Sequence, residues 1–125
     1  MFTISPSVNG KVVALSNNTI AFIPEKEEDV KTGLGEIITE KNITPQFRQQ
    51  EFENFNTTDD HLMHITGKVK DQKGNVYYKI KNSWGTGNYP GGYLYVSENY
   101  FNLKTINIYL HKEGVPSDLR KKLKV

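Results

Sequence analysis

The sequence contains 125 residues, with 16 basic and 14 acidic side chains and no cysteine. This length fits one small domain, and a formal net charge of +2 is too small to indicate a nucleic-acid-binding protein by itself. Because these 125 residues include no cysteine, they cannot form a disulfide framework, a thiolate metal site or a cysteine nucleophile.

Apolar residues are scarce and charge is unevenly distributed. The apolar set AVILMFWYC makes up 36% of the chain, so either the core is small or part of it lies on another polypeptide. Residues 1–60 carry five basic and ten acidic side chains, whereas residues 61–125 carry eleven basic and four acidic ones. We interpret residues 1–125 as a single domain, with an irregular segment at 1–43 followed by a more regular one at 44–125.

The irregular segment contains two short strand candidates and a charged loop. Residues 11–15 and 20–23 are apolar enough to form strands on either side of the turn-forming run 16–19. An acidic, glycine-containing loop is expected from 25 to 35. We assign no function to that loop, since clustered charges usually form a solvated surface.

A helix is predicted to begin at Pro45. Thr44 suits the N-cap, and proline is favoured at the first helical position because its φ angle is fixed and it has no N–H to satisfy. Phe47, Phe52 and Phe55 lie five and eight positions apart, and we expect them to dock the helix on a core.

From residue 61 onward the pattern favours antiparallel strands. Residues 61–69 and 76–82 alternate apolar and polar positions, and the run 70–75 between them has strong turn chemistry. Further strands are expected at 92–96 and 104–110, joined by a short helical piece at 97–101. Ser117 is predicted to cap a last basic helical turn.

The hairpin predicts a polar pair at its open end. Placing both apolar faces on one side of the sheet gives three pairs: Met63–Ile80, Ile65–Tyr78 and Gly67–Val76. This register leaves a loop at 70–73 and sets His61 opposite Asn82, with β-carbons about 5 Å apart. A neighbouring register that keeps both apolar faces on one side would shift the pairing by one pair and keep the two residues within reach.

An asparagine facing a histidine has a chemical use. The amide oxygen of Asn82 can accept from one ring N–H of His61, which fixes the tautomer while the other ring nitrogen meets a nucleophile. Trp84 follows two residues later and could shield this bond from water. From spacing alone, the commoner explanation is a polar pair at a strand end whose two side chains only satisfy each other's hydrogen-bonding groups.

The residues that carry this pair also carry a family resemblance. The runs 60–67 (DHLMHITG), 78–85 (YKIKNSWG) and 91–94 (GGYL) resemble the papain-like cysteine peptidases. By this resemblance, His61 is the catalytic histidine, Asn82 the orienting asparagine and Trp84 the tryptophan that covers their hydrogen bond. Residues 44–61 and 104–107 look most like the bleomycin hydrolase/aminopeptidase C branch, and the match spans about residues 40–123.

The resemblance implies an α+β fold, namely the antiparallel, partly barrel-like β half of such a peptidase with one packed helix. The family's cysteine and the glutamine of its oxyanion hole lie on an N-terminal half, which is the expected partner besides a peptide substrate. We therefore expect a C-terminal fragment, a split-gene product or a degenerate remnant that does not cleave peptides alone. Family members also suggest a homo-oligomer.

In the bleomycin hydrolase branch, the C-terminal tail lies in the active-site cleft and its carboxylate receives the amino group of the substrate. By resemblance, Val125 would supply this carboxylate and favour aminopeptidase activity. The alternative is a frayed, solvated tail, although the spacing of Leu119 and Leu123 gives it one reason to dock.

Other function classes are less well supported. His61 and His64 would point to opposite faces of a strand, which argues against a metal site, and no cofactor is expected. Solvated lysines beside sheet tyrosines explain the basic half better than nucleic acid does. No apolar run or basic leader indicates a membrane or secretion, so a cytoplasmic protein is expected. A non-catalytic pseudo-peptidase module that binds peptides or a subunit remains the alternative function.

Overall fold

In the computed structural model, the described residues are 2–4, 7–8, 11–12, 14–15, 20–26, 39–59, 61–83, 85–87 and 91–125, the first four ranges as backbone only. The strands are β1 (Phe2–Ile4), β2 (Ser7–Val8), β3 (Lys11–Val12), β4 (Ala14–Leu15), β5 (Ile20–Ala21), β6 (His61–Lys70), β7 (Val76–Lys81), β8 (Tyr93–Ser97) and β9 (Thr105–Ile108). The helices are α1 (Pro45–Glu53), α2 (Glu98–Lys104) and α3 (Ser117–Leu123), with a 3-10 turn at Lys112–Gly114.

One sheet organises the domain. Its strand order is β4-β5-β8-β7-β6-β1-β9, and β2 pairs with β3 separately. The predicted α+β class is confirmed, but the sheet is mixed, because β5 runs parallel to β8. Among the described strands the sheet is open, with β4 and β9 at its edges, so the partly barrel-like closure expected from the sequence is not observed.

The start of α1 follows its capping residues. Thr44 Oγ1 accepts from the N–H of Phe47 at 3.1 Å, and Pro45 is the first helical residue, as predicted. Phe47 packs against the core, but Phe52 and Phe55 are 51% and 83% exposed. The docking prediction was wrong for these two, since a spacing of five turns Phe52 by about 140° from Phe47 and Phe55 lies beyond the helix end.

The other two helices differ in how they begin. Ser97 caps α2, its Oγ accepting from the N–H of Tyr100 at 3.1 Å. This helix runs through Lys104, so the strand expected from 104 begins one residue later. In α3, Ser117 is the first helical residue and Pro116 occupies the cap without a side-chain hydrogen bond, so the predicted Ser117 cap is wrong.

The core lies between one face of the sheet and the two helices that flank it. Its buried members are Ala21, Ile23, Met63, Ile80, Leu94, Val96, Tyr100 and Leu103. Ile80 and Val96 are fully buried, and burying such a side chain contributes about 1.5–3 kcal/mol. The β6–β7–β8 ladder and α2 therefore form the rigid base from which the ends of β6 and β7 project.

The hairpin of β6 and β7 has a different register from the predicted one. Its first pairs are His64–Lys81 and Ile65–Ile80, one step along from the expected alignment, and the offset changes again at a bulge before Gly67. The loop spans residues 71–75 instead of 70–73, because Asp71 closes it by accepting from the N–H groups of Lys73 and Asn75 at 2.8 and 2.9 Å. The bulge could not be anticipated from alternation.

Candidate active site

His61 is the first residue of β6, and it is half-buried on the face that also carries buried Met63. Its backbone pairs with Ile4 of β1. On the other side, the ladder with β7 starts only at His64. His61 therefore projects from the open end of the hairpin, where the strand emerges from the preceding loop.

The predicted pairing of His61 with Asn82 is confirmed as a hydrogen bond. His61 Nε2 lies 2.7 Å from Asn82 Oδ1 despite the shifted register. Asn82 Oδ1 also accepts from the N–H of Ser83 at 2.8 Å. Because that backbone group can only donate, it identifies this side-chain atom as the amide oxygen, and His61 Nε2 must carry the proton. In the neutral ring, Nδ1 is then the basic nitrogen.

Asn82 is held by its backbone as well as by its side chain. It follows the last residue of β7, is only 6% exposed, and donates its N–H to the carbonyl of Gly92 at 2.9 Å. Gly92 has a φ of +85°, and a Cβ added there would lie 2.2 Å from the carbonyl oxygen of Gly85. Only glycine permits this close approach of the Gly92 backbone to that of Gly85.

The other two predicted site residues are not brought to this pair by any described contact. Trp84 lies outside the described residues, so its place over the His61–Asn82 bond stays a prediction. Val125 is 64% exposed after α3, and its N–H donates to Arg120 O at 3.2 Å. Its role in a cleft also stays a prediction.

Sequence reasoning used Gly92 only as part of the 91–94 run and gave neither Gly92 nor Lys104 a structural role at the site. The glycine pair 91–92 directly before β8 was a usable signal, since consecutive glycines before a strand indicate a tight approach of two backbones. Lys104 is fully buried at the end of α2, and nothing in its sequence context distinguishes it from a solvated lysine.

Within the described ranges, neither a metal-binding cluster nor the groove beside α1 includes His61 or Asn82. Among the described residues, no group of three His, Asp or Glu side chains could hold a metal ion. A groove of about 720 Å³ lies between α1 and β9, but it is lined by other residues, including Arg48, Phe101 and Ile106. Arg48 Nη2 bonds Thr105 O at 2.8 Å there, which joins α1 to β9. Over the part of the chain that can be described, no helix has the length and apolarity needed to cross a bilayer.

The pair can act as a base whose orientation is fixed. A neutral imidazole with its proton on Nε2 offers Nδ1 to an acidic hydrogen, and the amide oxygen stabilises the imidazolium that forms. Catalysis by this arrangement requires a nucleophile, and the chain contains no cysteine. The geometry is therefore that of a general base with its orienting group.

Comparison with known proteins identifies the family of the chain. A family model described as the Peptidase C1-like family matches residues 36–125, which include the whole β6–β7–β8 ladder and all three helices. None of the curated proteins matches the chain. Since the match covers well over half of the residues, the chain belongs to the Peptidase C1-like family, whose members are papain-like peptidases.

Proposed function

We propose that this chain supplies the general base and its orienting asparagine to a papain-like cysteine peptidase of aminopeptidase type, of the bleomycin hydrolase/aminopeptidase C branch. The single observation that carries the proposal is the 2.7 Å bond between His61 Nε2 and Asn82 Oδ1, in a chain of the Peptidase C1-like family. This bond leaves Nδ1 of His61 as the proton acceptor, with the ring held by a buried residue.

The proposed chemistry follows from that orientation. Nδ1 of His61 takes the proton of a cysteine thiol, and the thiolate attacks the carbonyl carbon of the scissile peptide. The imidazolium then gives this proton to the leaving amine, so that the C–N bond breaks and a thioester remains. Water, deprotonated by the same nitrogen, then attacks the thioester carbonyl, the C–S bond breaks, and the imidazolium returns the proton to the cysteine sulfur. Asn82 stabilises the imidazolium in both steps, and Trp84 is proposed to exclude water from their bond.

The nucleophile has to come from elsewhere. We infer that the partner is a Cys-bearing N-terminal half of the papain-like type, and that the 125-residue chain alone does not hydrolyse peptides. The low apolar content and the exposed rings of Phe52 and Phe55 support the idea that some of its surface is completed by another polypeptide.

Reconstitution tests the catalytic role. The chain is co-expressed with a Cys-bearing half of the bleomycin hydrolase branch, and hydrolysis of an aminoacyl reporter is measured. We expect turnover that His61→Ala lowers at least about 100-fold, because general-base catalysis is lost. His64→Ala is the matched control, since His64 is exposed and faces the other side of β6.

Two results would contradict the proposal. Cleavage by the pure chain that resists thiol reagents would locate the chemistry in other residues. If the reconstituted complex turned over substrate equally fast with His61→Ala, His61 would not be the general base. A complex that forms and binds peptides without turnover would favour the alternative function, a non-catalytic binding module.

The aminopeptidase preference is proposed to come from the Val125 carboxylate. A carboxylate placed short of the nucleophile would pair with the α-ammonium group of the substrate and block longer chains. Removal of residues 119–125 from the reconstituted enzyme should shift cleavage from aminoacyl substrates toward N-blocked ones. An unchanged preference would leave Val125 without a role in specificity.

A further inference from the structure

A buried lysine lies close to the loop that leads into His61. Lys104 is 0% exposed, and its Nζ donates to the backbone carbonyl of Asn56 at 2.7 Å. Burying an ammonium group is costly unless it is hydrogen-bonded, so this contact strongly restricts where the Asn56 backbone can lie. Lys104 is the last residue of α2, where the partial negative charge of the helix end also favours a cation.

A buried carboxyl group holds the same asparagine from the other side. Glu51 of α1 is 6% exposed, and its Oε1 lies 3.3 Å from Asn56 Nδ2 and 3.4 Å from Asn54 Nδ2. The backbone carbonyl of Glu51 also accepts from the N–H of Thr57 at 2.9 Å. Asn56 is therefore bound through its amide by α1 and through its carbonyl by α2.

Among the described residues, no ladder pair with β7 holds the first three residues of β6, which pair with β1 on their other side. The β6–β7 ladder begins at His64, three residues after His61. Asn56 precedes His61 by five residues, and the buried Thr57 follows it directly. The contacts that Glu51 and Lys104 make with Asn56 therefore restrict the path of the chain before it reaches β6.

We propose that Lys104 and Glu51 are positioning residues for His61, acting through Asn56. Their two part-buried contacts with Asn56 anchor the chain before β6 so that His61 Nε2 meets Asn82 Oδ1 and Nδ1 keeps a single orientation. The orientation of the ring is a property of this chain, and only its catalytic use rests on the proposed function. Neither residue touches the reacting atoms.

The test reads the ring of His61 directly in the full 125-residue chain. Long-range ¹H–¹⁵N spectra at neutral pH report which ring nitrogen carries the proton, and His64 and His111 provide exposed internal references. We expect one tautomer for His61, protonated on Nε2, in the unmodified chain. Lys104→Met, which keeps the length without the donor, should lose this single-tautomer signature. Lys112→Met, at an exposed lysine, is the matched control and should retain it.

A second variant keeps the proposal open to refutation if Lys104→Met does not fold. Asn56→Ala removes the amide bonded to Glu51 and keeps the carbonyl bonded to Lys104, so it should weaken the His61 signature partially. Glu51→Gln keeps an acceptor oxygen and should preserve it. If His61 stays in one tautomer in Asn56→Ala and in any Lys104→Met chain that folds, the proposal is wrong. Failure of the reconstituted enzyme would leave this result unaffected, so the two proposals can fail separately.

Discussion

The two ends of the β6–β7 hairpin are each organised around one side-chain acceptor, but their surroundings differ. At the turn, Asp71 accepts from two backbone N–H groups and from the amide of Asn75, all within five residues of sequence. At the open end, Asn82 Oδ1 accepts from Ser83 and from His61, which is 21 residues away. The turn closes by itself, whereas the open end needs residues from several elements.

The glycines at the two ends show the same contrast. Gly74 in the turn has a φ of +87° and no atom within 4 Å of where a Cβ would lie. Gly92 at the open end has a similar φ of +85°, but a Cβ there would overlap the carbonyl of Gly85. The turn needs glycine only for its backbone angle, while the site needs it for space as well.

The largest effect on stability is expected from a substitution that disrupts the open end of the hairpin. Gly92→Ala should lower the free energy of unfolding by about 2–5 kcal/mol, because a left-handed φ costs about 1–2 kcal/mol and the overlap with Gly85 adds about 1–3 kcal/mol. Gly91→Ala is the matched control, since its φ is +70° but nothing lies within 4 Å. It should cost only the first contribution. Urea unfolding measures the loss of unfolding free energy in both variants. Equal losses in Gly92→Ala and Gly91→Ala would show that the contact with Gly85 adds no strain.

The contrast between the two ends explains what the sequence could predict. Turn chemistry at 71–75 and the Thr44–Pro45 helix start depend on neighbours in sequence, so composition and spacing are sufficient to locate them. The crowding of Gly92 and the burial of Lys104 depend on contacts between residues that are distant along the chain. The pair His61–Asn82 could be predicted because alternation places both on one face, and a diagonal contact tolerates a shifted register.

The carboxyl groups of Glu40 and Asp71 both lie near Tyr77, but their pKa values shift in opposite directions. Glu40 is partly buried, and its Oε2 accepts from the N–H of Ile23 at 2.9 Å and from Ser97 Oγ at 2.5 Å. Burial raises the pKa of Glu40 above its ordinary value, although both hydrogen bonds oppose this. Burial, together with the charges of Asp71 and Glu40, raises the pKa of Tyr77 to about 12.

An intermediate effect is expected from Glu40. Because its pKa is raised by folding, its contribution to stability is present below the ordinary value of 4.5 and is lost as the pH rises through the folded-state value. Glu40→Gln keeps an acceptor oxygen and cannot ionise, so its stability should lack this fall. Urea unfolding at a series of weakly acidic pH values measures the difference. A parallel pH dependence in both proteins would mean that Glu40 ionises without cost.

The smallest effect is expected at the turn, with the opposite sign. Partial desolvation raises the pKa of Asp71, but hydrogen bonds from Asn75, Lys73 and Tyr77 outweigh it and hold this pKa below its ordinary value. Its contribution to stability is therefore present above pH 3.8, the ordinary value, and is lost as the pH falls through the folded-state pKa. Asp71→Asn should remove this loss of stability at acidic pH. The loss itself is small, because solvent screens the carboxylate.

The measurement for Asp71 is the difference in unfolding free energy between Asp71→Asn and the unmodified chain across the acid range. We expect this difference to shrink as the pH falls, because protonation of Asp71 makes the two side chains electrically alike. A difference that stays constant would mean that the charge of Asp71 adds nothing to the bonds it accepts. The His61 tautomer should remain unchanged in Asp71→Asn, because the turn closes through its own five residues and the open end is fixed by other elements.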